Sequence, residues 1–435
     1  MKNPGTGSPA LWMWVTAFVC AAGIWLFAQR VLIPFQVVDA AAHQRPRGNL
    51  SDLYPRWLGA RELLLHKRNP YSPDVTREIQ AGYYGRVLDP VRPNDPKDQE
   101  AFAYPVYIVF YLAPVVDLPF AVVKQAFLWL LVVMTLASAL IWMRVLHWPE
   151  SGGMQALVLV LTLGSLPAMQ GLKLQQMTLL VASLLAIAIL LLLKDRQVIA
   201  GVLLAAASIK PQVAVLPLLW LAIWTFGDIR RRYRWAVAFA AVMAVQIAAA
   251  EYYVPHWIPR FWQAIGEYRE YTGAMPVAEV FTGTILGRIV EVLAFVLLIG
   301  ACWRARPHPA SSSTFAVTTS VVLALTVLLI PTDSVYNQVL LMPALLLLVR
   351  DRRAIWDRGM GSRLFLGIVA VLVVWPWISS VGLVVLSLVL PSDTIQGAWA
   401  VPFWTVVPTP LGVAALMLAH AARGIFADSV VAATS

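Results

Sequence analysis

Asp52 is the residue in this 435-residue chain whose type and setting best suit it to chemistry. It lies in SDLYPRWLGARELLLHKRNPY, a charged segment after the first hydrophobic stretch. A carboxylate at the rim of a membrane cavity is costly, so it more often serves catalysis or transport than packing. Lys210 is a second candidate, since it follows AGVLLAAASI, precedes Pro211 and ends a short apolar stretch. These residues could provide a general base and a cation for an anionic group.

The composition predicts a helical protein that crosses a membrane many times. Hydrophobic residues make up 60% of the chain, charged residues only 13%, and the mean hydropathy is +0.71. A soluble protein could not bury so much apolar surface. Continuous apolar runs near the roughly 20 residues that cross a bilayer recur along the sequence. We therefore expect an all-α polytopic bundle of about 10–13 transmembrane helices.

The basic residues predict the orientation of this bundle. The net charge is +10, but its clusters, residues 194–196, 230–234 and 350–353, lie at the ends of apolar stretches. This placement is typical of cytoplasmic anchoring in a plasma (inner) membrane protein, not of nucleic-acid binding. The first long loop, residues 34–103, then lies outside the cytoplasm and holds nine of the 23 acids.

We expect a single integral membrane domain over residues 1–435, with residues 34–103 as its extracytoplasmic catalytic loop and residues 254–287 as its second extracytoplasmic loop. Leu53, Trp57, Ala60 and Leu64 recur at helical spacing within the first loop, which is typical of an interfacial helix. A second interfacial helix is predicted over residues 256–271.

The segment between the first loop and residue 177 contains one apolar stretch more than the orientation predicted from the basic clusters allows. Stretches at 104–118, 120–146 and 155–168 precede the next span, residues 177–193. One of the three is therefore expected to be re-entrant or broken, which is tolerated where the backbone lines a protein cavity.

Several short motifs together resemble glycosyltransferase family 87 of the GT-C superfamily. They are Asp52-Leu-Tyr, Asn69-Pro70-Tyr71, Tyr104-Pro105, Ala113-Pro114, Gln176-Met-Thr178-Leu-Leu, and Ala200-Gly201 leading to Lys210-Pro211. The resemblance spans roughly residues 10 to 350. It implies transfer of mannose or arabinofuranose from a polyprenyl-phosphate donor to a lipid or glycan acceptor outside the cytoplasm, with inversion at the anomeric carbon.

The resemblance also suggests a role for Asp52, which matches the acid that the family uses in its first extracytoplasmic loop. There it would remove the proton of the acceptor hydroxyl during attack on the sugar. Inversion requires one such carboxylate and no covalent intermediate. The alternative role is capping of the following helix. Asp39, nearer the first span, is the reserve candidate for the base. Asp89, Asp95 and Asp98 are predicted to lie in a solvated loop.

Seven residues are candidates for substrate binding. Lys210 would hold the donor phosphate, unless it only extends to the membrane interface. Gln176 and Thr178 match a family Gly-Gln-x-Asn element in which Gln175 replaces Gly and Thr178 replaces Asn. Gln176 would bind sugar or phosphate, or alternatively another helix.

The other candidates come from the turn PTDSVYNQ and the segment VFTGTILGR. Asp333, Tyr336 and Asn337 would contact sugar or acceptor. Arg288 would reach the phosphate, although anchoring of a helix end is its alternative role.

The sequence predicts neither a metal nor another cofactor. Cys20 and Cys302 are far apart, the His residues show no zinc spacing, and no Gly-rich phosphate loop is present. The expected partners are the donor, the acceptor and membrane lipids. Two other functions stay open: a transporter or flippase of a lipid-linked saccharide, which needs no base, and a noncatalytic scaffold, in which Asp52 would have no role.

Overall fold

The computed structural model describes residues 9–44, 50–89, 91–148, 151–273, 275–330 and 334–433, with side chains up to residue 422. Regular structure in these residues is helical. The helices are α1 Leu11–Phe27, α2 Ile33–Ala42, α3 Leu53–His66, α4 Pro73–Tyr84, α5 Ile108–Leu112, α6 Phe120–Val145, α7 Gly152–Leu163, α8 Leu166–Leu174, α9 Met177–Leu193, α10 Gln197–Ala207, α11 Pro211–Thr225, α12 Ile229–Arg232, α13 Arg234–Tyr253, α14 Trp257–Thr272, α15 Val277–Thr282, α16 Thr284–Ala305, α17 Ser313–Leu329, α18 Met342–Arg350, α19 Arg352–Trp356, α20 Met360–Leu386, α21 Ser392–Gly397 and α22 Pro408–Ala433.

Six helical segments among the described residues are long and apolar enough to cross a membrane. They are Leu11–Ala42, Phe120–Val145, Arg234–Tyr253, Thr284–Ala305, Met360–Leu386 and Ser392–Ala422. Helices α9, α10, α11 and α17, together with the segment Val335–Arg350, are apolar but shorter. The chain is therefore an all-α polytopic membrane protein, as predicted. The expected number of 10–13 spans stays a prediction.

The first span is longer than its apolar stretch indicated, because α1 continues into α2 through a π-helical turn, Ala28–Leu32. Pro34 is the second residue of α2. A proline lacks the N–H of a regular turn and clashes with the carbonyl four residues earlier. A π-turn relieves this clash without ending the helix.

The predicted break before α9 is present between α7 and α8, whose axes are bent by 55°. Ser165 accepts a hydrogen bond from the N–H of Ala168 and so caps α8. The indole N–H of Trp25 donates to the carbonyl of Leu163 at 3.1 Å, and that of Trp377 donates to the carbonyl of Gly164 at 2.6 Å. The freed carbonyls are thus satisfied inside the protein, as a bilayer requires.

Helices α9 and α17 lie at the centre of the hydrophobic core, and α3 packs against this core. Leu53, Trp57 and Ala60 of the predicted apolar stripe are buried, and Leu64 is partly buried. The stripe of α3 therefore faces protein. Helix α10 contacts α13 closely at Gly201, where a Cβ atom would overlap the carbonyl oxygen of Trp235. This close contact holds the helix that ends just before Lys210.

Candidate active site

Asp52 occupies the N-cap position of α3, but its side chain accepts no capping hydrogen bond. Its Oδ1 accepts a hydrogen bond from the Tyr83 hydroxyl at 3.3 Å, and its Oδ2 accepts one from the Gln176 amide. Its backbone N–H donates to the carbonyl of Leu174 at 2.9 Å, which ties the start of α3 to the end of α8. The capping role considered for this carboxylate is therefore not observed.

The turn between α8 and α9 presents Gln176 to Asp52. Gln175 ends α8 in the left-handed region, with φ of 56°. This is the position at which the family element has Gly, the residue that adopts this conformation most easily. Here the Gln175 side chain accepts a hydrogen bond from Ser51 and donates one to the carbonyl of Lys124. These bonds hold the left-handed residue between α3 and α6.

Lys210 lies at the junction of α10 and α11 and points into the protein. Its side chain is only 5% exposed, and Nζ donates to Thr178 Oγ1 at 2.6 Å and to Gln176 Oε1 at 3.2 Å. Its ammonium also lies 4.9 Å from the centre of the Tyr336 ring. An inward, buried ammonium does not match the alternative in which Lys210 extends to the membrane interface.

Thr178 links this cation to the segment Val335–Leu341. Its hydroxyl donates to Asn337 Oδ1 at 3.0 Å while accepting from Lys210. The hydroxyl of Thr178 therefore bridges two predicted site residues at the position where the family element has Asn. Asp52, Gln176, Lys210, Thr178 and Asn337 form one hydrogen-bonded network, with the Tyr336 ring packed against it. We call these six residues the Asp52–Lys210 network.

The other sequence candidates lie elsewhere. Arg288 is 71% exposed, and its Nε lies 3.3 Å from Glu279; the structure does not bring it into the Asp52–Lys210 network. Asp39 pairs with His43 at 3.3 Å near the end of α2. Asp333 falls outside the described residues.

Arg56 adds positive charge beside Asp52. Its guanidinium donates to the backbone carbonyl of Asp52 and stacks over the Tyr104 ring at 4.4 Å. Burial raises the pKa of Asp52, and the cations of Arg56 and Lys210 oppose this rise. A carboxyl pKa above its ordinary value suits a general base that works near neutral pH.

Residues 98–100 bring further carboxyl groups to the site. Asp98 Oδ1 accepts a hydrogen bond from the backbone N–H of Glu100 at 2.9 Å, and the Glu100 carboxyl lies within electrostatic range of Asp98 and Asp52. Burial and these neighbours raise the pKa of Glu100 well above its ordinary value, and burial also raises that of Asp98. The prediction of a solvated loop was wrong for Asp98, which is largely buried. It was also wrong for Asp95, whose side chain is 7% exposed and pairs with Arg86.

Two tyrosines of α14 complete the surroundings. Tyr268 interacts electrostatically with Asp98, Arg56 and Asp52, and Tyr271 with Asp98 and Glu100. Aromatic faces of this kind commonly pack against ligands. The sequence placed both tyrosines in an interfacial helix, but its periodicity could not show that α14 lies against the first loop. Among the described residues, no group of three or more His, Cys, Asp or Glu is arranged to hold a metal ion.

The fold and site define a multi-pass membrane protein with a buried carboxylate–amide–ammonium network. The family model for glycosyltransferase family 87 matches residues 102–332, more than half of the chain. The protein therefore belongs to glycosyltransferase family 87 and is a glycosyltransferase, as the motifs predicted. Gln176, Thr178, Lys210 and Arg288 lie within the matched range. Comparisons with curated proteins and with solved structures gave no match.

Proposed function

We propose that this glycosyltransferase moves a mannose- or arabinofuranose-like sugar from a polyprenyl-phosphate donor to a lipid or glycan acceptor, with inversion of the anomeric carbon. The reaction would take place at the extracytoplasmic face of the plasma membrane, within the Asp52–Lys210 network. The pattern of basic clusters in the sequence supports this orientation. Asn94→Cys should therefore react with an impermeant thiol reagent in intact cells, whereas Arg230→Cys should not.

The observation that carries the proposal is the setting of the Lys210 ammonium. It is buried, it donates only to the neutral groups of Thr178 and Gln176, and it makes no direct ion pair with an acid among the described residues, which do not include Asp333; Asp52 is reached only through Gln176. A buried charge is costly unless an opposite charge neutralises it. The phosphate of the donor would supply that charge. Lys210 would also stabilise the phosphate as it leaves the sugar.

Asp52 would act as the general base. The acceptor hydroxyl oxygen attacks the anomeric carbon, its proton passes to the Asp52 carboxylate, and the bond from carbon to phosphate oxygen breaks on the opposite face. The electron pair of that bond leaves with the polyprenyl phosphate. Tyr83 and Gln176 each donate to one Asp52 oxygen. They would thereby orient the carboxylate towards the acceptor.

A lateral groove suits the hydrocarbon tail of such a donor. It has a volume of about 350 Å³ and lies between α11, α16 and α17, with mostly apolar walls that include Val215 and Phe295 and with the carboxyl-bearing Glu291 on its α16 side. Gln212, two residues after Lys210, lines it, as does Ile330 near the start of the turn to Tyr336. A tail in this groove would place its phosphate on the Lys210 side.

Purified protein in lipid nanodiscs provides the test. It would receive radiolabelled polyprenyl-phosphate mannose or arabinofuranose, together with lipid and glycan extracts of its host membrane. One labelled product should form with wild type, including in EDTA, and its anomeric configuration should be inverted relative to the donor. Absence of transfer from both donors, with movement of intact lipid-linked saccharide across proteoliposomes, would support the transporter instead.

A further inference from the structure

Two lysines near Asp52 have no role in the reaction proposed above. Lys173 lies in the last turn of α8, and the carbonyl of the next residue, Leu174, accepts the backbone N–H of Asp52 at 2.9 Å. Lys124 is the fifth residue of α6, and its carbonyl accepts a hydrogen bond from the Gln175 side chain. These backbone contacts hold both lysines beside the start of α3.

Aromatic packing joins the same helix ends. The ring of Phe120, at the start of α6, packs edge-on against the ring of Tyr54 in α3, with 4.9 Å between the ring centres. The start of α3, the start of α6 and the end of α8 therefore lie together. In this arrangement the Lys173 ammonium is within electrostatic range of both Asp52 and Lys124.

Neither of the two ammonium groups is neutralised by a direct contact. Among the residues that the structure describes, neither lysine donates a side-chain hydrogen bond or forms an ion pair. Lys173 is partly buried and Lys124 is exposed, so an anion can reach the pair from outside the protein. Two like charges held near each other are unfavourable unless an anion binds to them.

The other cations near Asp52 have counter-charges. Lys210 is assigned to the donor phosphate, and Arg56 lies within electrostatic range of the Asp98 and Glu100 carboxyl groups. The two lysines therefore provide positive charge that the donor does not use.

Membrane anchoring does not account for this pair of lysines. The orientation predicted from the basic clusters places Lys124 and Lys173 at the extracytoplasmic end of the bundle, whereas anchoring lysines concentrate at cytoplasmic ends. Arg144, in the last turn of α6, occupies the opposite end of that helix. A binding role explains the position of the pair better than an orienting role.

We propose that Lys124 and Lys173 form a second phosphate-binding site, which holds an acceptor that carries a phosphate group close to its reacting hydroxyl. The inference rests on the proposed function, because it takes Asp52 as the base. Lysine ammonium groups bind phosphate as point charges, and each has three N–H donors. With its phosphate on the lysine pair, the acceptor would present its hydroxyl to Asp52, which lowers the entropic cost of the attack.

The charge of the acceptor provides the first test. Extracts of the host membrane, separated by anion exchange into neutral and acidic fractions, would each be offered to wild type with the radiolabelled donor. The acceptor should be in the acidic fraction, and aqueous hydrofluoric acid, which cleaves phosphate esters, should abolish its use. Transfer to the neutral fraction alone, or to an acid-treated fraction at an unchanged rate, would overturn the inference. Partition of the labelled product between organic solvent and water then distinguishes a lipid phosphate from a soluble glycan phosphate.

The second test separates the KM for the acceptor from the KM for the donor. Lys124→Gln and Lys173→Gln should each raise the KM for the acceptor about tenfold, through the loss of one charge-assisted contact, and leave the KM for the donor unchanged. Lys173→Arg keeps the charge and should retain most acceptor use. Lys97→Gln, at an exposed lysine of the first loop, is the matched control and should behave as wild type. An unchanged KM for the acceptor in a folded Lys124→Gln, Lys173→Gln double variant would contradict the inference.

The third test does not depend on sugar transfer. Purified wild type in a maltoside detergent, which contains no phosphate, would be acylated at its lysines in the presence of glycerol phosphate, phosphatidic acid, glycerol or diacylglycerol. Mass spectrometry would compare labelling of Lys124 and Lys173 with labelling of Lys97. Protection of the pair by either phosphate compound, and not by its uncharged counterpart, would support the site even if wild type transferred no sugar, in which case the proposed function alone would fail. Equal labelling with all four compounds would overturn the inference.

Discussion

Gln176 joins the carboxylate of Asp52 to the ammonium of Lys210. Its amide nitrogen donates to Asp52 Oδ2, and its amide oxygen accepts from Lys210 Nζ at 3.2 Å. Because the amide has a donor end and an acceptor end, the two charges fix its orientation. The same side chain thereby sets the separation between the proposed base and the proposed phosphate-binding cation.

Gln176→Glu should disrupt this separation. The substitution keeps the length of the side chain but removes the donor to Asp52 and adds a negative charge beside it. We expect kcat/KM to fall by about ten- to hundredfold, with a larger loss than in Gln176→Met, which removes only the hydrogen bonds. Wild-type kinetics in Gln176→Glu would show that the amide does not orient the base.

Lys210→Gln should weaken use of the donor. The charge-assisted contact that it removes is worth about 1.5 to 3 kcal/mol, which corresponds to a loss of roughly ten- to hundredfold in kcat/KM. Lys194→Gln, in an exposed basic cluster, is the control and should behave as wild type. Folding of both variants can be compared by thermal unfolding in detergent. Normal donor kinetics in folded Lys210→Gln would exclude a phosphate-binding role.

Three residues of the Asp52–Lys210 network, Asp52, Gln176 and Lys210, could be singled out from the sequence because each follows a recognisable break in the hydrophobic pattern. Asp52 precedes α3, Gln176 precedes α9, and Lys210 precedes Pro211, so each lies at a helix start where the backbone turns. Helix starts are readable from local sequence. That these starts meet is a consequence of packing, which periodicity does not encode, and the resemblance to family 87 supplied that expectation.

Arg56, Tyr83 and Glu100 could not be identified in the same way. Arg56 lies within α3 at a position that helical spacing assigns to a surface, and Tyr83 lies in the last turn of α4. Glu100 belongs to a segment without regular structure, where its φ is 50°. Their proximity depends on how α3, α4 and the loop fold back on one another, and local propensity does not determine long-range contacts of this kind.

The lateral groove provides a prediction about the donor tail. Val215, 55% exposed, lines the groove, whereas Val237, 58% exposed, lies on α13 and does not. Val215→Trp should fill part of the groove and raise KM for a long-chain donor several-fold, with a smaller effect on a donor with a truncated tail. Val237→Trp should leave both values unchanged. An equal effect of the two substitutions would place the tail elsewhere.

The most decisive prediction concerns Asp52 and its reserve, Asp39. Asp52→Asn keeps the shape of the side chain and its acceptor oxygen but removes the base, so sugar transfer should fall by about 10²- to 10⁴-fold while donor binding stays near wild type. Asp39 pairs with His43 on α2, outside the Asp52–Lys210 network, and Asp39→Asn should retain most activity.

The measurement is single-turnover transfer from the radiolabelled donor, with donor binding measured separately in the same preparations. A scaffold would tolerate both substitutions, and a transporter would show no transfer to lose. An active Asp52→Asn beside an inactive, folded Asp39→Asn would move the base to α2. Because Tyr83 and Gln176 both donate to Asp52 and neither is hydrogen-bonded to Asp39, we expect the opposite result.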